Sequence, residues 1–224
     1  MPGSENGRLF PPEDGGVTIR MYRIGHGDCF LLAFPGRDEG RPVYVLIDCG
    51  FKHGSPAKLK SPTSAEAIVA DIGRATGKSI DLAILTHEHE DHLNGITEKA
   101  FEDFTIGTLW LAWTEDREDG LAEALREKHH DTLIGLTAAA AGMEKSNMAA
   151  QSASIEEFLQ MELGEPAAPF RRPSGRFGAA KSKQAKDPNK SKNKKSMALF
   201  KARAKSTDFL RPDEVRIIPD TDVS

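Results

Sequence analysis

Three histidines and an aspartate fall within six residues, in the segment 87-HEHEDH-92: His87, His89, Asp91 and His92. Imidazole and carboxylate groups are ligands of zinc, manganese and iron, and zinc is the usual metal at histidine-rich sites. Because His87 and His89 are two residues apart in an extended segment, their rings project to one side. The cluster therefore predicts a site for one or two metal ions. Two ions ~3.5–4 Å apart share a water and lower its pKa.

The cluster has two alternative interpretations. The helical zinc-protease pattern H-E-x-x-H is excluded, because His89-Glu90-Asp91-His92 is one residue too short for it. The other alternative is a solvent-exposed polar turn that binds no metal. The apolar run 80–85 before the cluster is typical of a buried strand, and 92–103 is expected to be helical. A strand followed by a helix favours the metal site over the turn.

Further strands are predicted around this one at 17–24, 29–34, 43–47 and 108–112. The first alternates Val17, Ile19 and Met21 with polar residues, which is typical of a half-buried strand. A last strand-like run occupies 215–219.

Helix signals separate the strands. Thr63 with Glu66 forms a capping box for a helix that runs to about Thr76, and Gly77 ends it. Apolar spacing predicts two longer helices over 121–142 and 147–163.

Length and composition limit the class of protein. With 224 residues, 38% of them hydrophobic and 29% charged, the chain forms one large domain or two small ones. It has no apolar run of ~20 residues and no leader, so we expect a cytoplasmic protein without a membrane partner. Cys29 and Cys49 are expected to be buried reduced thiols, or else neighbours across a sheet.

The stretch 171–205 is strongly basic. It contains thirteen lysines and arginines and one acid, Asp187, whereas the whole chain has a net charge of −4. Its low apolar content predicts a mobile loop. Such a tract is a candidate arm for nucleic acid. Because few aromatic residues interrupt it, a solvated insertion is favoured over the arm.

The motifs together resemble those of the metallo-β-lactamase fold hydrolases. The H-x-H-x-D-H pattern follows a strand and ends near Gly95, and VLIDCG with Asp48 is similar to that family's strand-end motif. The opening GHGDCFLL resembles the competence-protein (ComEC-like) branch. The resemblance covers 17–113 and implies an α+β fold, an αββα sandwich with metals at the sheet edges. It also implies hydrolysis by a metal-activated water.

The resemblance also implies roles for single residues. His87 and His89 would hold one Zn²⁺, and Asp91 and His92 would hold a second, with Mn²⁺ or Fe²⁺ as alternatives. Asp91 would also orient the attacking water, and Asp48 would lie next to the metals. Asp28 would be a neighbour without an assigned role.

The chain departs from this family after His92. A complete member adds a further histidine and a bridging aspartate. The only histidines that follow here are His129 and His130, and none of the available acids comes after an apolar strand as expected: Asp208, Asp213, Asp220 and Asp222. Both histidines lie on a predicted helix, where at most one faces a given site, and we expect them at its surface. The isolated chain is therefore expected to have negligible hydrolase activity, because four ligands without the bridging carboxylate cannot hold two metals. A second chain or a missing C-terminal half would complete the fold.

The expected organisation has five segments. They are a disordered N-terminus (1–16), the first half of the hydrolase domain (17–116), a helical insertion (117–165), a basic flexible segment (166–206) and the start of a truncated strand (207–224). Without a second sheet, the first sheet would expose an apolar patch with Leu31, Val45, Ile47 and Leu85.

Three functions remain open from the sequence. The first is a metal-dependent hydrolase of phosphodiesters or nucleic acids. The second is a hydrolase of the same fold that acts on a lactone, thioester or β-lactam. The third is an incomplete half-domain that serves as a non-enzymatic binding module.

Overall fold

A computed structural model of the chain describes residues 7–38, 40–52, 55, 64–164 and 191–223. It contains six strands: β1 (Thr18–Met21), β2 (Phe30–Pro35), β3 (Pro42–Ile47), β4 (Ser79–Leu85), β5 (Thr105–Ala112) and β6 (Ala204–Leu210). It also contains five α-helices: α1 (Ala65–Thr76), α2 (Glu90–Leu93), α3 (Gly120–Lys145), α4 (Ala149–Leu163) and α5 (Lys192–Arg203). Among the described residues, no helix is both long and apolar enough to span a bilayer.

The six strands form one mixed sheet in chain order. Strands β1, β2 and β3 are antiparallel neighbours, and β3, β4, β5 and β6 run parallel. Parallel strands present their carboxyl ends at one edge of a sheet, which is where α/β proteins place ligands. At this edge Asp48 follows β3, and Thr86 follows β4.

Helices cover one face of the sheet. The main core lies there and includes Leu46 and Leu85 from the strands, Ile72 from α1 and Phe200 from α5. The ring of Phe200 packs edge-on against Phe101, with the ring centroids 4.9 Å apart. Fully burying aromatic and aliphatic side chains of this size stabilises a fold by ~1.5–3 kcal/mol each.

A smaller cluster lies on the opposite face. It contains Phe34, Val43, Val45, Leu82 and Trp110. Ile218, in the segment after β6, packs against this cluster.

The residues predicted to form one exposed apolar patch do not share a face. Leu31 pairs with Leu46, whereas Val45 pairs with Leu32 in the next register position. Leu31, Leu85 and Val45 are buried, and Ile47 is partly buried. The predicted four-residue patch is therefore wrong, because successive side chains of a strand alternate between faces.

Strand β1 is half-buried, but its polar side faces inward. Ile19 is 58% exposed and Met21 is 71% exposed. On the inner side, Arg20 Nη1 and the Tyr22 hydroxyl each donate a hydrogen bond of 2.7 Å to Oδ2 of Asp71 on α1. The hydrogen bonds to Asp71 thus determine which face of β1 turns towards α1.

Two predicted helices are present as α3 and α4, and the helix that Gly77 was expected to end is α1. Ser64 caps α1 by accepting a hydrogen bond from the Ala67 amide, and Gly77 adopts the left-handed φ of 65°. Thr63 lies outside the described residues. The predicted helix over 92–103 is wrong, because α2 stops at Leu93 and turns follow it.

The C-terminal part of the basic tract is ordered. Residues from 191 onwards form α5, in which Met197 and Phe200 are buried, and then β6, which pairs with β5. The expectation of a flexible segment is therefore wrong for this part, and 171–190 lies outside the described residues. The strand predicted at 215–219 is also absent from the described chain, where β6 ends at Leu210.

Candidate metal centre

The candidate site begins where the parallel strands β3 and β4 end side by side. Ile47 is the register partner of Ile84. One residue further, the Asp48 amide donates a hydrogen bond of 3.0 Å to the Ile84 carbonyl. The histidine cluster starts at His87, directly after Thr86. The sheet therefore places Asp48 beside the beginning of the cluster.

Asp48 is the buried centre of this region. It is 1% exposed, and its backbone has a φ of 51°, in the left-handed region that a residue other than glycine seldom adopts. Thr86 donates to Asp48 twice, from its amide to Oδ1 (2.9 Å) and from its hydroxyl to Oδ2 (2.7 Å). The Nδ1 atom of His92 lies 2.8 Å from the same Oδ2. A strained backbone with a fully used carboxylate is typical of a functional site.

Two glycine-containing loops pack backbone to backbone against α2. A Cβ atom added at Gly50 would come within 2.6 Å of the His92 amide nitrogen, and one at Gly27 within 2.6 Å of the Asp91 carbonyl oxygen. Hydrogen bonds join the same segments: Asp28 N to Asp91 O (3.1 Å) and Cys49 N to His92 O (2.9 Å). Only glycine permits this approach, so the loops fix Asp91 and His92 relative to the strand ends.

Two groups of side chains lie close enough to hold a metal ion. In the first, His87, Asp91 and His92 each offer a ligand atom, and these atoms lie within 4.8 Å of one another. In the second, Asp28, Asp48 and His92 do the same. His92 belongs to both groups. The HEHEDH segment and the GHGD turn thus meet at one place, although GHGD lies far away in the sequence.

The donor set fits a divalent cation. Asp91 Oδ1 is buried and has no hydrogen-bond partner among the described residues, while Oδ2 lies 3.2 Å from Nε2 of His26. A buried carboxylate oxygen without a donor is costly unless a cation or water satisfies it. Two imidazoles and a carboxylate are also a common ligand set for catalytic zinc.

His89 points to a different partner. Its Nε2 lies 2.9 Å from Oε1 of Glu162 at the end of α4, and Oε2 of Glu162 lies 3.1 Å from Nε2 of His129 on α3. The ring centroids of His87 and His89 are nevertheless only 4.6 Å apart. His89 thus borders the group of His87, Asp91 and His92, and its role as a metal ligand remains a prediction.

Glu88 is held by the C-terminal helices as well. Lys194 of α5 forms an ion pair with Glu88 and lies 3.6 Å from Glu115. Sequence reasoning identified neither Lys194 nor Glu162. Nothing in the local pattern marks them, since each contacts a motif residue about 70 to 105 positions earlier in the chain.

The electrostatics of the three clustered imidazoles differ. Burial lowers the pKa of His87, and so do the neighbouring His92 and His89. Burial also opposes the charge on His92, but Asp48, Asp91 and Asp28 outweigh it and raise the pKa of His92. A hydrogen bond with Glu162 raises the pKa of His89. Since a metal competes with protons for these nitrogens, His87 is the ligand most easily available at neutral pH.

The remaining candidates are placed as follows. His129 contacts Glu162, whereas His130 lines a separate cavity of about 900 Å³ between α3 and α5. His26 is exposed, next to Asp91, and His53 lies outside the described residues. Cys29 and Cys49 are free and buried, and a hydrogen bond between them raises the pKa of the Cys29 thiol, as does burial.

Comparisons with known proteins add little to this geometry. No protein-family profile matches the chain, and no curated protein matches it. Among solved structures, a beta-lactamase domain protein from Burkholderia ambifaria is similar, with 19% sequence identity and a TM-score of 0.27. The match covers 46% of this chain and 32% of that one, so the chain spans about a third of that protein's length. A likeness this weak carries no argument about function.

Proposed function

We propose that this protein is a metal-dependent hydrolase that uses a metal-activated water, as the resemblance of its motifs to the metallo-β-lactamase fold hydrolases and their ComEC-like branch implies. One observation carries the proposal: the ligand atoms of His87, Asp91 and His92 lie within 4.8 Å of one another at the carboxyl end of a parallel sheet. Metal ions and substrates of α/β proteins bind at this end.

Each residue of the site has a distinct task in this proposal. His87, Asp91 and His92 would hold the metal, and the group of Asp28, Asp48 and His92 is an alternative place for it. A bound Zn²⁺ would supply a water of pKa ≈ 7 and polarise the substrate carbonyl or phosphoryl oxygen. Asp91 would also orient that water, which is the role that the resemblance implies for it.

The surroundings of the metal group support access from one side. His87 and His26 are exposed, whereas Asp91, His92 and Asp48 are buried. Substrate would therefore approach past the two exposed imidazoles, and the buried residues would keep the ligand geometry fixed. Asp48 would orient the His92 ring through the 2.8 Å contact to Nδ1, which leaves Nε2 for the metal.

Metal binding is the first test. Elemental analysis of the purified protein loaded with zinc should give one to two equivalents, and His87→Ala should lose at least one. His130→Ala is the matched control, because His130 lies in the separate cavity between α3 and α5. Absence of zinc from the wild-type protein after loading would overturn the proposal.

The substrate is the second test. We propose a phosphodiester, supported by the net charge of +12 in the tract 171–205 and by the ComEC-like opening. Bis(p-nitrophenyl) phosphate, a β-lactam, a lactone and a thioester form a suitable panel. We expect slow turnover of the phosphodiester that His87→Ala abolishes. Zinc binding without turnover of any of the four would favour a non-enzymatic binding module.

Nucleic acid is the proposed partner of the basic tract. Its affinity should fall steeply with salt, because phosphate contacts release counterions. Deletion of residues 171–190 should weaken binding of a short DNA duplex at least tenfold at 50 mM salt. Equal binding by the deletion variant would instead leave the tract as a solvated insertion.

A further inference from the structure

We infer that Glu162, on helix α4 of the helical insertion, positions His89 for metal binding and is itself held by His129. This inference rests on the proposed metal site. It assigns a function to the helical insertion, which lies outside the half of the chain that carries the H-x-H-x-D-H motif.

The first argument is the burial of Glu162. Its side chain is 6% exposed, although ionised carboxylates are seldom buried without partners. Both oxygens are used: Oε1 lies 2.9 Å from Nε2 of His89, and Oε2 lies 3.1 Å from Nε2 of His129. Glu162 is therefore held between the two imidazoles.

The second argument is that the main chain around Glu162 is fixed. Asn193 of α5 donates from Nδ2 to the carbonyls of Met161 (2.9 Å) and Glu162 (3.1 Å). Helix α4 ends immediately afterwards at Gly164, which adopts a left-handed φ of 69°. Asn193 thus caps the last turn of α4. A carboxylate on a capped helix end is a rigid support and not a mobile surface group.

The third argument is chemical. A metal-ligating imidazole usually donates its other ring N–H to a carboxylate, which fixes the tautomer and the orientation of the ring. Here Nε2 of His89 faces the carboxylate of Glu162, so in the neutral imidazole the proton would reside on Nε2 and Nδ1 would keep its lone pair for a metal. The ring lies beside that of His87, at a centroid distance of 4.6 Å.

These observations together assign a role to the helical insertion. Helices α3 and α4 supply His129 and Glu162, Glu162 contacts His89, and the ring of His89 borders that of His87. The insertion thus supplies the second layer of the metal centre. His89 would be its link to the metal.

Zinc affinity provides one test. Competition with a chromophoric chelator should show that Glu162→Gln weakens zinc binding by about 10- to 100-fold, the usual effect of removing such a support. Glu157→Gln is the matched control, because it removes the same charge from an exposed position of the same helix, where Glu157 pairs with Lys52. We expect the control to bind zinc like the wild type.

The tautomer of His89 provides a readout that a purely structural role would not move. Long-range ¹H–¹⁵N NMR of the imidazoles, assigned with His89→Gln, should show a proton on Nε2 and zinc at Nδ1 in the loaded protein. In Glu162→Gln the His89 signals should shift towards a mixture of tautomers.

The outcomes separate the inference from the proposed function. One outcome is that the wild type and Glu162→Gln bind zinc equally well, and that zinc lies at Nε2 of His89 or does not contact His89. This outcome would overturn the role of Glu162 and leave the proposed metal site intact. If the wild type binds no zinc, the proposed function fails, and the inference fails with it.

Discussion

The Nδ1 atom of His92 lies 2.8 Å from Oδ2 of Asp48, and this contact joins the end of strand β3 to the first helical turn after β4. The two residues are 44 positions apart in the chain, and both are buried. Because Asp48 also accepts two hydrogen bonds from Thr86, one carboxylate links the strand ends and the segment of the candidate metal ligands.

Replacing Asp48 by asparagine tests this link. Asparagine tolerates the left-handed backbone of Asp48. Its side-chain NH₂ group, however, cannot accept a hydrogen bond from Thr86 as a carboxylate oxygen does. We expect a loss of ~1–3 kcal/mol in the free energy of unfolding, measured with urea. Zinc affinity should fall by about 10-fold or more. Asp213→Asn is the control, since Asp213 is exposed and has a φ of 67°. An equal loss in both variants would contradict the link.

Replacing Gly50 by alanine tests the backbone contact between the loops and α2. The added methyl group would overlap the main chain at His92 and Leu93, and backbone cannot move away as a flexible side chain does. We expect destabilisation of ~1–3 kcal/mol, with weaker zinc binding. Gly135→Ala is the control, because nothing lies within 4 Å of that position in α3. Alanine there should stabilise the helix by ~0.5–1 kcal/mol.

The ion pair of Lys194 with Glu88 predicts a pH-dependent effect. Burial raises the pKa of Glu88 and Lys194 opposes this rise, so Lys194→Met should raise that pKa further. A carboxyl group with a raised folded-state pKa destabilises the protein above that pKa. We therefore expect Lys194→Met to unfold more easily at pH 7, by ~1–3 kcal/mol, and less so near pH 5.

Two variants complete the Lys194 experiment. Glu88→Gln combined with Lys194→Met should recover most of the lost stability at pH 7, because residue 88 then carries no charge that needs a partner. Lys195→Met, at an exposed position of the same helix, should change stability by less than ~0.5 kcal/mol. A pH-independent loss in Lys194→Met would indicate lost packing and not an unpaired Glu88.

The contacts of Asp71 predict the opposite pH behaviour. Burial would raise the pKa of Asp71, but hydrogen bonds from Tyr22 and Arg20 outweigh it and lower that pKa. A carboxyl group with a lowered folded-state pKa contributes stability above its unfolded pKa, and this is lost as the pH falls through the folded pKa. Asp71→Asn should therefore cost ~1 kcal/mol at pH 7. In urea titrations the difference from the wild type should shrink as the pH falls below the ordinary aspartate pKa of 3.8 and through the lowered pKa of Asp71. A constant difference down to pH 2 would disprove this account.

Much of the local structure was predictable from the sequence. Alternation and apolar runs located β2, β3, β4 and β5, and Gly77 marked the end of α1. These signals are local: a period of two, or a glycine that permits a positive φ. The H-x-H-x-D-H spacing likewise pointed to His87, Asp91 and His92, because neighbours after a strand end come together without help from distant residues.

The rest depended on distant partners. Helix α5 was not predicted, because its buried residues Met197 and Phe200 lie between lysines of the basic tract. Arg20 and Tyr22 turn inward at β1 because both donate hydrogen bonds to Asp71 on α1. Propensity and periodicity do not show which charges find a buried partner, so Glu162 could not be identified as part of the site from the sequence.

The position of β6 has a consequence for folding kinetics. β5 ends at Ala112, and its neighbour β6 begins only at Ala204. The sixth strand therefore cannot join the sheet until the long segment between them has brought β6 back to β5. The entropy of closing such a loop grows slowly with its length, but non-local pairing slows folding. Until then β5 is an open edge strand with Trp110 and Leu111 unprotected, a template for aggregation. During synthesis the H-x-H-x-D-H segment also leaves the ribosome before Glu162 and Lys194, so the proposed metal centre would be assembled in two stages.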